Sequence, residues 1–199
     1  MPSRLAVLAS GRGSNLQAII EHFDNLARER VAKIVLVASN RPDSPALIRA
    51  ATASIDVAAF NPNDDGSELL ALLQKFRVDL VVLAGYLKRI PPKVINEYAG
   101  RIINIHPALL PAFGGEGMYG SRVHEAVIAA GVQETGVTVH LVDDEYDRGP
   151  IIAQWHIPIY ESETSDSLAA RVLNVEHAVY PRIVEMVAIL QQLESKSTV

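Results

Sequence analysis

The feature that most constrains this chain is a repeated alternation. Short apolar runs at 4–9, 31–39, 55–60, 78–84 and 101–105 are separated by stretches whose apolar residues recur at helical spacing. The run Val78-Asp79-Leu80-Val81-Val82-Leu83-Ala84, closed by Gly85, is the clearest example. Strands that are apolar on both faces must be covered on both faces, so the alternation predicts βαβ units around a parallel sheet. The first helix opens at Ser14-Asn15 and puts Leu16, Ile19, Ile20 and Phe23 on one face. Others start at Ser44-Pro45, after Asp64-Asp65, and at Pro91-Pro92, where serine caps and first-turn prolines are favoured.

After residue 105 the pattern changes. A loop from Pro107 to Gly120 leads into a helix, Ser121–Ala130, stopped by Gly131. Thr135–Val142 and Ile151–Ile159 read as longer strands joined by the acidic segment 143–150, too short for a crossover helix, so they pair antiparallel. One long helix from Thr164 to Leu193 closes the pattern, with Pro181 inside it as a source of a kink. The expected architecture is a single α/β domain over 1–199 with a mostly parallel twisted sheet. It has a Rossmann-like, nucleotide-binding half at 1–100 and a second half, 101–199, with antiparallel strands.

Composition removes whole classes of function. The absence of cysteine excludes disulfide scaffolds, thiolate metal sites and cysteine nucleophiles. Lys+Arg 18 against Asp+Glu 23 gives a net charge of −5, which offers nucleic acid no global positive field. There is no uncharged apolar stretch of membrane-spanning length and no export signal, so a cytoplasmic location is expected.

The loop Ser10-Gly11-Arg12-Gly13-Ser14-Asn15 lies between the first strand and the first helix. Helix starts present free N–H groups, and open parallel sheets bind ligands beyond their strands' carboxyl ends. Gly11 and Gly13 are expected to let the backbone approach a phosphate, and Ser14 and Asn15 to add donors. Leu16 occupies the third glycine position of the dinucleotide fingerprint, and no Gly-Lys-Ser/Thr follows, so a monophosphate suits the loop better than a dinucleotide or nucleoside triphosphate.

The second candidate constellation closes the fifth strand, Asn104-Ile105-His106-Pro107. Period-two alternation puts Asn104 and His106 on one face at the strand's carboxyl end. An amide donor beside an imidazole suits a reaction that builds an oxyanion and moves a proton. Thr138 and His140 share a face on the next strand, and Asp143, Asp144 and Asp147 supply carboxylates in the turn before Gly149-Pro150. His106, His140 and Asp147 could also form a two-histidine, one-carboxylate metal set, but no metal-ligand spacing supports it. No Gly-x-Ser-x-Gly elbow exists. His22, His124 and His156 read as surface or packing residues, and His177 is ambiguous.

These blocks, with Ser39-Asn40-Arg41, Leu83-Ala84-Gly85-Tyr86, Asp144-Glu145-Tyr146-Asp147-Arg148-Gly149-Pro150 and Glu176-His177-Ala178-Val179-Tyr180-Pro181, resemble the phosphoribosylglycinamide formyltransferases, folate-dependent enzymes of purine synthesis. The likeness runs in order over nearly the whole chain. It implies the formyltransferase fold and transfer of a formyl group from 10-formyltetrahydrofolate, as co-substrate, to the amine of glycinamide ribonucleotide, with no metal. By motif position it implies that Gly13, Ser14 and Asn15 hold the ribonucleotide phosphate and Glu176 its ribose. Asn104 would bind the formyl oxygen and His106 would act as general acid. Asp147 would raise the pKa of His106 and relay the amine proton, with Thr138 and His140 behind them. Tyr86, Leu87, Lys88, Arg89 and Ile90, with Asn104 and the turn Asp143, Asp144, Glu145, Tyr146 and Asp147, would line the folate pocket. The implied partners are these two small molecules, with no nucleic acid or membrane, and the protein a monomer or homodimer.

Four departures from the family pattern stand out. Leu173 sits where relatives often carry a glutamine, Gly66 where an arginine lies near the folate tail, and Lys88-Arg89 where a basic–apolar pair is usual. The 113–120 loop is long enough to gate the site. Relatives that hydrolyse 10-formyltetrahydrofolate carry an added amino-terminal domain, and those that formylate initiator tRNA an added carboxyl-terminal one. The pattern here, beginning at its first strand and ending soon after the long helix, is expected to match neither. A non-catalytic nucleotide-binding module would have no use for a proton carrier.

Overall fold

The computed structural model describes residues 1–26 and 31–197. In chain order the elements are β1 (Ser3–Leu8), α1 (Ser14–Asn25), β2 (Ala32–Ser39), α2 (Pro45–Thr52), β3 (Val57–Ala59), α3 (Ser67–Lys75) and β4 (Leu80–Leu83). They continue with α4 (Pro92–Glu97), β5 (Ile102–His106), α5 (Ser121–Ala129), β6 (Glu134–Leu141), β7 (Ile151–Pro158) and α6 (Ser165–Ser197). The strands form one seven-stranded sheet in the order β3-β2-β1-β4-β5-β6-β7. Pairing is parallel from β3 through β5 and antiparallel for β5–β6 and β6–β7. The predicted α/β architecture with antiparallel carboxyl-terminal strands is the one observed.

Strand pleating divides the core in two. Leu5, Val7 and Ala9 of the first run, with Leu80, Val82 and Ala84 of the fourth, pack beneath α1, α2, α5 and α6. Ala6 and Leu8, with Val81 and Leu83, face the other way, against α3 and α4. Each fully buried Leu or Val contributes about 1.5–3 kcal/mol, so a one-residue slip in any central strand would expose a whole face. The third strand differs from its expected span of 55–60. Only three residues ladder, because β3 is an edge paired to β2 alone and Ile55 N–H turns back to the Ala50 carbonyl, closing α2.

This division positions the site. On β5, Ile103 and Ile105 enter the first core and Ile102 the second. Asn104 and His106 share Ile102's face, but α3 and α4 reach no further along the sheet than Ile102. On β6, Val137 and Val139 are likewise core, leaving Thr138 and His140 on the same uncovered face, in register with His106 and Asn104. The loops 107–120 and 142–150 cover that face in place of a helix. Helix α6 runs through Pro181 as one segment and is tied to the sheet by Tyr180, whose hydroxyl donates to the Leu83 carbonyl (2.8 Å). That anchor sets Glu176, one turn earlier, over the strand ends. Among the described residues no helix is long and apolar enough to cross a membrane.

Candidate active site

A cleft of about 800 Å³ opens at the carboxyl ends of the parallel strands, and its two ends are built differently. One end lies where the strand order reverses between β1 and β4. Here Ser10 ties three loops together. Its N–H donates to the Gly85 carbonyl (3.0 Å), and its hydroxyl donates to Asn40 Oδ1 (2.6 Å) and accepts from Leu87 N–H (3.1 Å). The chain then turns into α1 through Gly13, at φ +71°, whose missing side chain leaves room for Ala46 of α2 at 2.8 Å from a Cβ position. Gly13 is thus required by packing and by backbone angle. Gly11 is not: a Cβ there would meet nothing within 4 Å. Both glycines border the cleft, and the open space beside Gly11 leaves room for a phosphate to approach the backbone there.

Helix α1 carries no acidic residue in its first turn and no side-chain cap, so its first N–H groups face the cleft unneutralised. Ser14 and Asn15 line the cleft beside them. Asn15 Nδ2 donates to Glu176 Oε2 (2.7 Å), while its Oδ1 has no partner. Burial pushes the Glu176 carboxyl up to about 7 against the lowering effect of the Asn15 amide. Leu173, one turn before Glu176, also borders the cleft and offers no polar atom there.

The other end is made of side chains. His106 is 3% exposed; its Nε2–H donates to the Phe113 carbonyl (2.8 Å) and its Nδ1 lies 3.5 Å from Asp147 Oδ2. Because a carbonyl only accepts, the Phe113 bond assigns the neutral ring's proton to Nε2, and Nδ1 is the atom free to take another. Burial lowers the His106 pKa, and outweighs the Asp147 charge and the Phe113 carbonyl, which raise it. Asp147 thus acts in the direction the resemblance implied, raising the His106 pKa, but burial outweighs it and the ring is neutral at rest. Burial works against the Asp147 carboxylate too, yet the imidazoles of His140 and His106 and the Gly115 N–H (2.9 Å) hold its pKa below the usual range. Asp147 sits at φ +55°, a left-handed conformation that Asp tolerates and that turns its carboxylate back into the cleft. Gly149 makes the turn feasible, since a Cβ there would fall 1.9 Å from the Leu141 carbonyl oxygen.

Thr138 and His140, expected together behind the site, separate. Thr138 is buried beneath the 107–111 loop, donating to the Ala108 carbonyl (2.6 Å) and accepting from Leu110 N–H (3.0 Å). His140 borders the cleft itself, with Nε2 3.1 Å from Asn104 Nδ2 and 3.6 Å from Asp147 Oδ1. Among the described residues no group of three or more His, Asp or Glu has metal-holding geometry; His106 Nδ1 and His140 Nε2 instead approach the two oxygens of Asp147 at 3.5 Å and 3.6 Å.

Between the two ends, Tyr86, Leu87, Lys88, Arg89 and Ile90 face the turn Asp143, Asp144, Glu145, Tyr146 and Asp147 across the cleft. Leu83, Ile90 and Val142 give this part an apolar floor. The Tyr86 hydroxyl is buried without a partner, and the Arg89 guanidinium bonds the Asp144 carbonyl. Gly66 lies elsewhere. It starts α3 at φ +88° with Pro91 2.6 Å from its Cβ position, a packing glycine rather than a vacated ligand contact.

Two residues have roles that the sequence reading did not assign. Ser10 opens the glycine loop, but its cross-ties to the Asn40 and Gly85–Leu87 loops lie outside that motif. His124, taken as surface or packing, is 6% exposed, borders the cleft, and has an unpartnered Nδ1 near His106. The signal was its spacing, since Val123 and Val127 on the same helix are core. His22 pairs with Glu185 (2.7 Å) and His156 with Glu134 (3.2 Å), both outside the cleft. His177 borders a separate surface cavity between α1 and α6.

Residues 3–184 match the formyl transferase family. The chain belongs to that family. It is 42% identical over 188 residues to a chloroplastic phosphoribosylglycinamide formyltransferase of Vigna unguiculata, covering 92% of this chain and 60% of that protein. It is 40% identical over 189 residues to the trifunctional purine biosynthetic protein adenosine-3 of Drosophila melanogaster, covering 92% of this chain and 14% of that one. The chain thus spans less than two thirds of these relatives' own lengths. Among solved structures, phosphoribosylglycinamide formyltransferase from Anaplasma phagocytophilum superposes with a TM-score of 0.85 at 38% identity, over 93% of this chain and 86% of that one. A formyltetrahydrofolate deformylase from Pseudomonas syringae shares the fold at 26% identity and a TM-score of 0.81, covering 93% of this chain and 61% of its own.

Proposed function

We propose that this protein transfers the formyl group of 10-formyltetrahydrofolate to the amine of 5-phosphoribosylglycinamide, a step of purine synthesis. One observation carries the reading: Asn104, His106 and Asp147 meet at one end of a cleft whose other end is a donor cradle with a buried carboxylate. The cradle of α1 N–H groups, Gly13, Ser14 and Asn15 suits a sugar phosphate, and Glu176 suits its hydroxyls. The floor of Leu83, Ile90 and Val142 suits a flat heterocycle, with the backbone of 143–147 and the free Tyr86 hydroxyl supplying polar contacts. The folate co-substrate supplies an activated formyl carbon.

This chain's residues do the remainder. Asn104 donates an N–H to the formyl oxygen as negative charge develops, worth about 2.7–4 kcal/mol of barrier for one well-placed donor. The amine nitrogen bonds the formyl carbon and its proton passes to His106 Nδ1, directly or through a water held by Asp147. The resulting imidazolium is stabilised by the Asp147 carboxylate and returns the proton to the departing folate nitrogen as the old carbon–nitrogen bond breaks. His106 is therefore a general acid only after it has served as a base, which fits its lowered pKa. Holding both substrates in line supplies a further entropic advantage.

Formyl transfer assayed with the ribonucleotide supplied or withheld tests this directly. Consumption of the folate only when the ribonucleotide is present is expected. Equal release of formate in both cases would make the protein a hydrolase, for which the phosphate cradle has no purpose.

A further inference from the structure

We infer that His140 is a positioning residue that fixes which way the Asn104 amide points. The inference rests on the reading of Asn104 as the oxyanion donor and adds the group that orients it. His140 is 2% exposed and its two ring nitrogens face different partners. Nδ1 lies 2.8 Å from the Leu141 carbonyl, an acceptor with no proton to give, so Nδ1 carries the ring proton. Nε2 is then a lone pair. It lies 3.1 Å from Asn104, and only the NH₂ end of that amide can donate to it.

The opposite tautomer fails twice. A proton on Nε2 would meet the Asn104 NH₂ head-on, or reach for Asp147 Oδ1 at 3.6 Å, beyond hydrogen-bond distance. It would also set the Nδ1 lone pair against the Leu141 carbonyl oxygen. Flipping Asn104 to suit that tautomer would turn the amide oxygen end for end with the NH₂, placing an acceptor where a developing oxyanion needs a donor. The carbonyl that starts this chain is itself fixed, because Gly149 packs directly against it and Leu141 N–H bonds the Pro150 carbonyl (2.9 Å). A main-chain acceptor thus sets a tautomer, the tautomer sets an amide, and the amide's second N–H is left for the substrate. An amide that flips freely would spend part of its time presenting oxygen to oxygen, so the order imposed by His140 acts on turnover rather than on ground-state binding.

Two measurements test this on the full chain. Imidazole ¹⁵N shifts at pH 8 should show His140 with a protonated Nδ1 and a pyridine-type Nε2; a protonated Nε2 would overturn the inference, whatever the activity. In steady-state formyl transfer, His140→Leu should lower kcat about 10²-fold, the low end of losing one oxyanion donor, with KM for the ribonucleotide within about twofold. His140→Gln, which can place an amide oxygen near the Nε2 position, should recover most of that loss. If Asn104→Ala lowers kcat while His140→Leu and His140→Gln leave it intact, positioning by His140 is wrong. If Asn104→Ala leaves kcat unchanged, the fault lies with the oxyanion reading, and the tautomer result stands alone.

Discussion

The two ends of the cleft use opposite materials. The α1 end is main chain: free N–H groups, one obligatory glycine, and loops cross-tied by Ser10. The β5–β6 end is side chain: an amide, two imidazoles and a carboxylate, held by loops in place of a helix. The main-chain donors of that end cannot change their charge, so they grip a ligand equally before and during a reaction. A cluster of titratable side chains can gain and lose protons, so it can act where charge moves. The contrast predicts that damage at one end appears in KM and damage at the other in kcat.

The largest expected effect breaks the side-chain end. Asn104→Ala and His106→Ala should each lower kcat about 10²–10³-fold while ribonucleotide affinity stays within a few-fold. Calorimetric titration with the ribonucleotide, beside steady-state rates, separates the two quantities. A loss of binding as large as the loss of rate would erase the distinction between the ends.

Next comes the main chain itself. Gly13→Ala forces a side chain into a left-handed conformation and against Ala46, at a combined cost of about 3 kcal/mol. Gly11→Ala meets open space and should change stability by less than about 0.5 kcal/mol. Denaturant midpoints for the pair are the check. Similar midpoints would mean the turn is not built as described.

How much of this the sequence disclosed follows the same division. The cradle is local, one strand–loop–helix unit, and its glycine pattern and helix start are visible within a few residues. Asn104 and His106 are a strand-end pair that period two places on one face without help. The separation of Thr138 from His140 was not legible, because it depends on how the aperiodic 107–120 loop lies over the sheet. The net direction of the His106 shift was not legible either: Asp147's charge can be foreseen from a motif, but the burial that outweighs it is a property of the folded chain. Gly66 misled because absence of a side chain looks alike in sequence whether a ligand or Pro91 occupies the space.

The buried carboxyl at the cradle sharpens the comparison further. Glu176 has its carboxyl raised to about 7 from 4.5 by burial, so the fold favours its neutral form. Its contribution to stability is complete below pH 4.5 and is lost as pH rises through 7. Glu176→Gln keeps a neutral side chain at every pH and should gain on wild type across that window, by no more than about 3 kcal/mol. Melting temperatures from pH 4 to 8 report it; parallel curves for the two proteins would show that the carboxyl titrates normally.

The smallest effect is the most specific. Ser14 contributes a hydroxyl at the start of α1 beside N–H groups that remain whatever its side chain is. Ser14→Ala removes one donor of several and leaves the helix end intact, so the loss should be about 1 kcal/mol, or five- to tenfold in KM for the ribonucleotide. On the proposed reading the phosphate is remote from any bond that changes, so the contact has the same strength in the ground and transition states, and kcat should stay within about twofold. A fall in kcat with KM unchanged would mean that this end of the cleft takes part in the chemistry, and that the main-chain and side-chain ends do not divide the work between gripping and reacting.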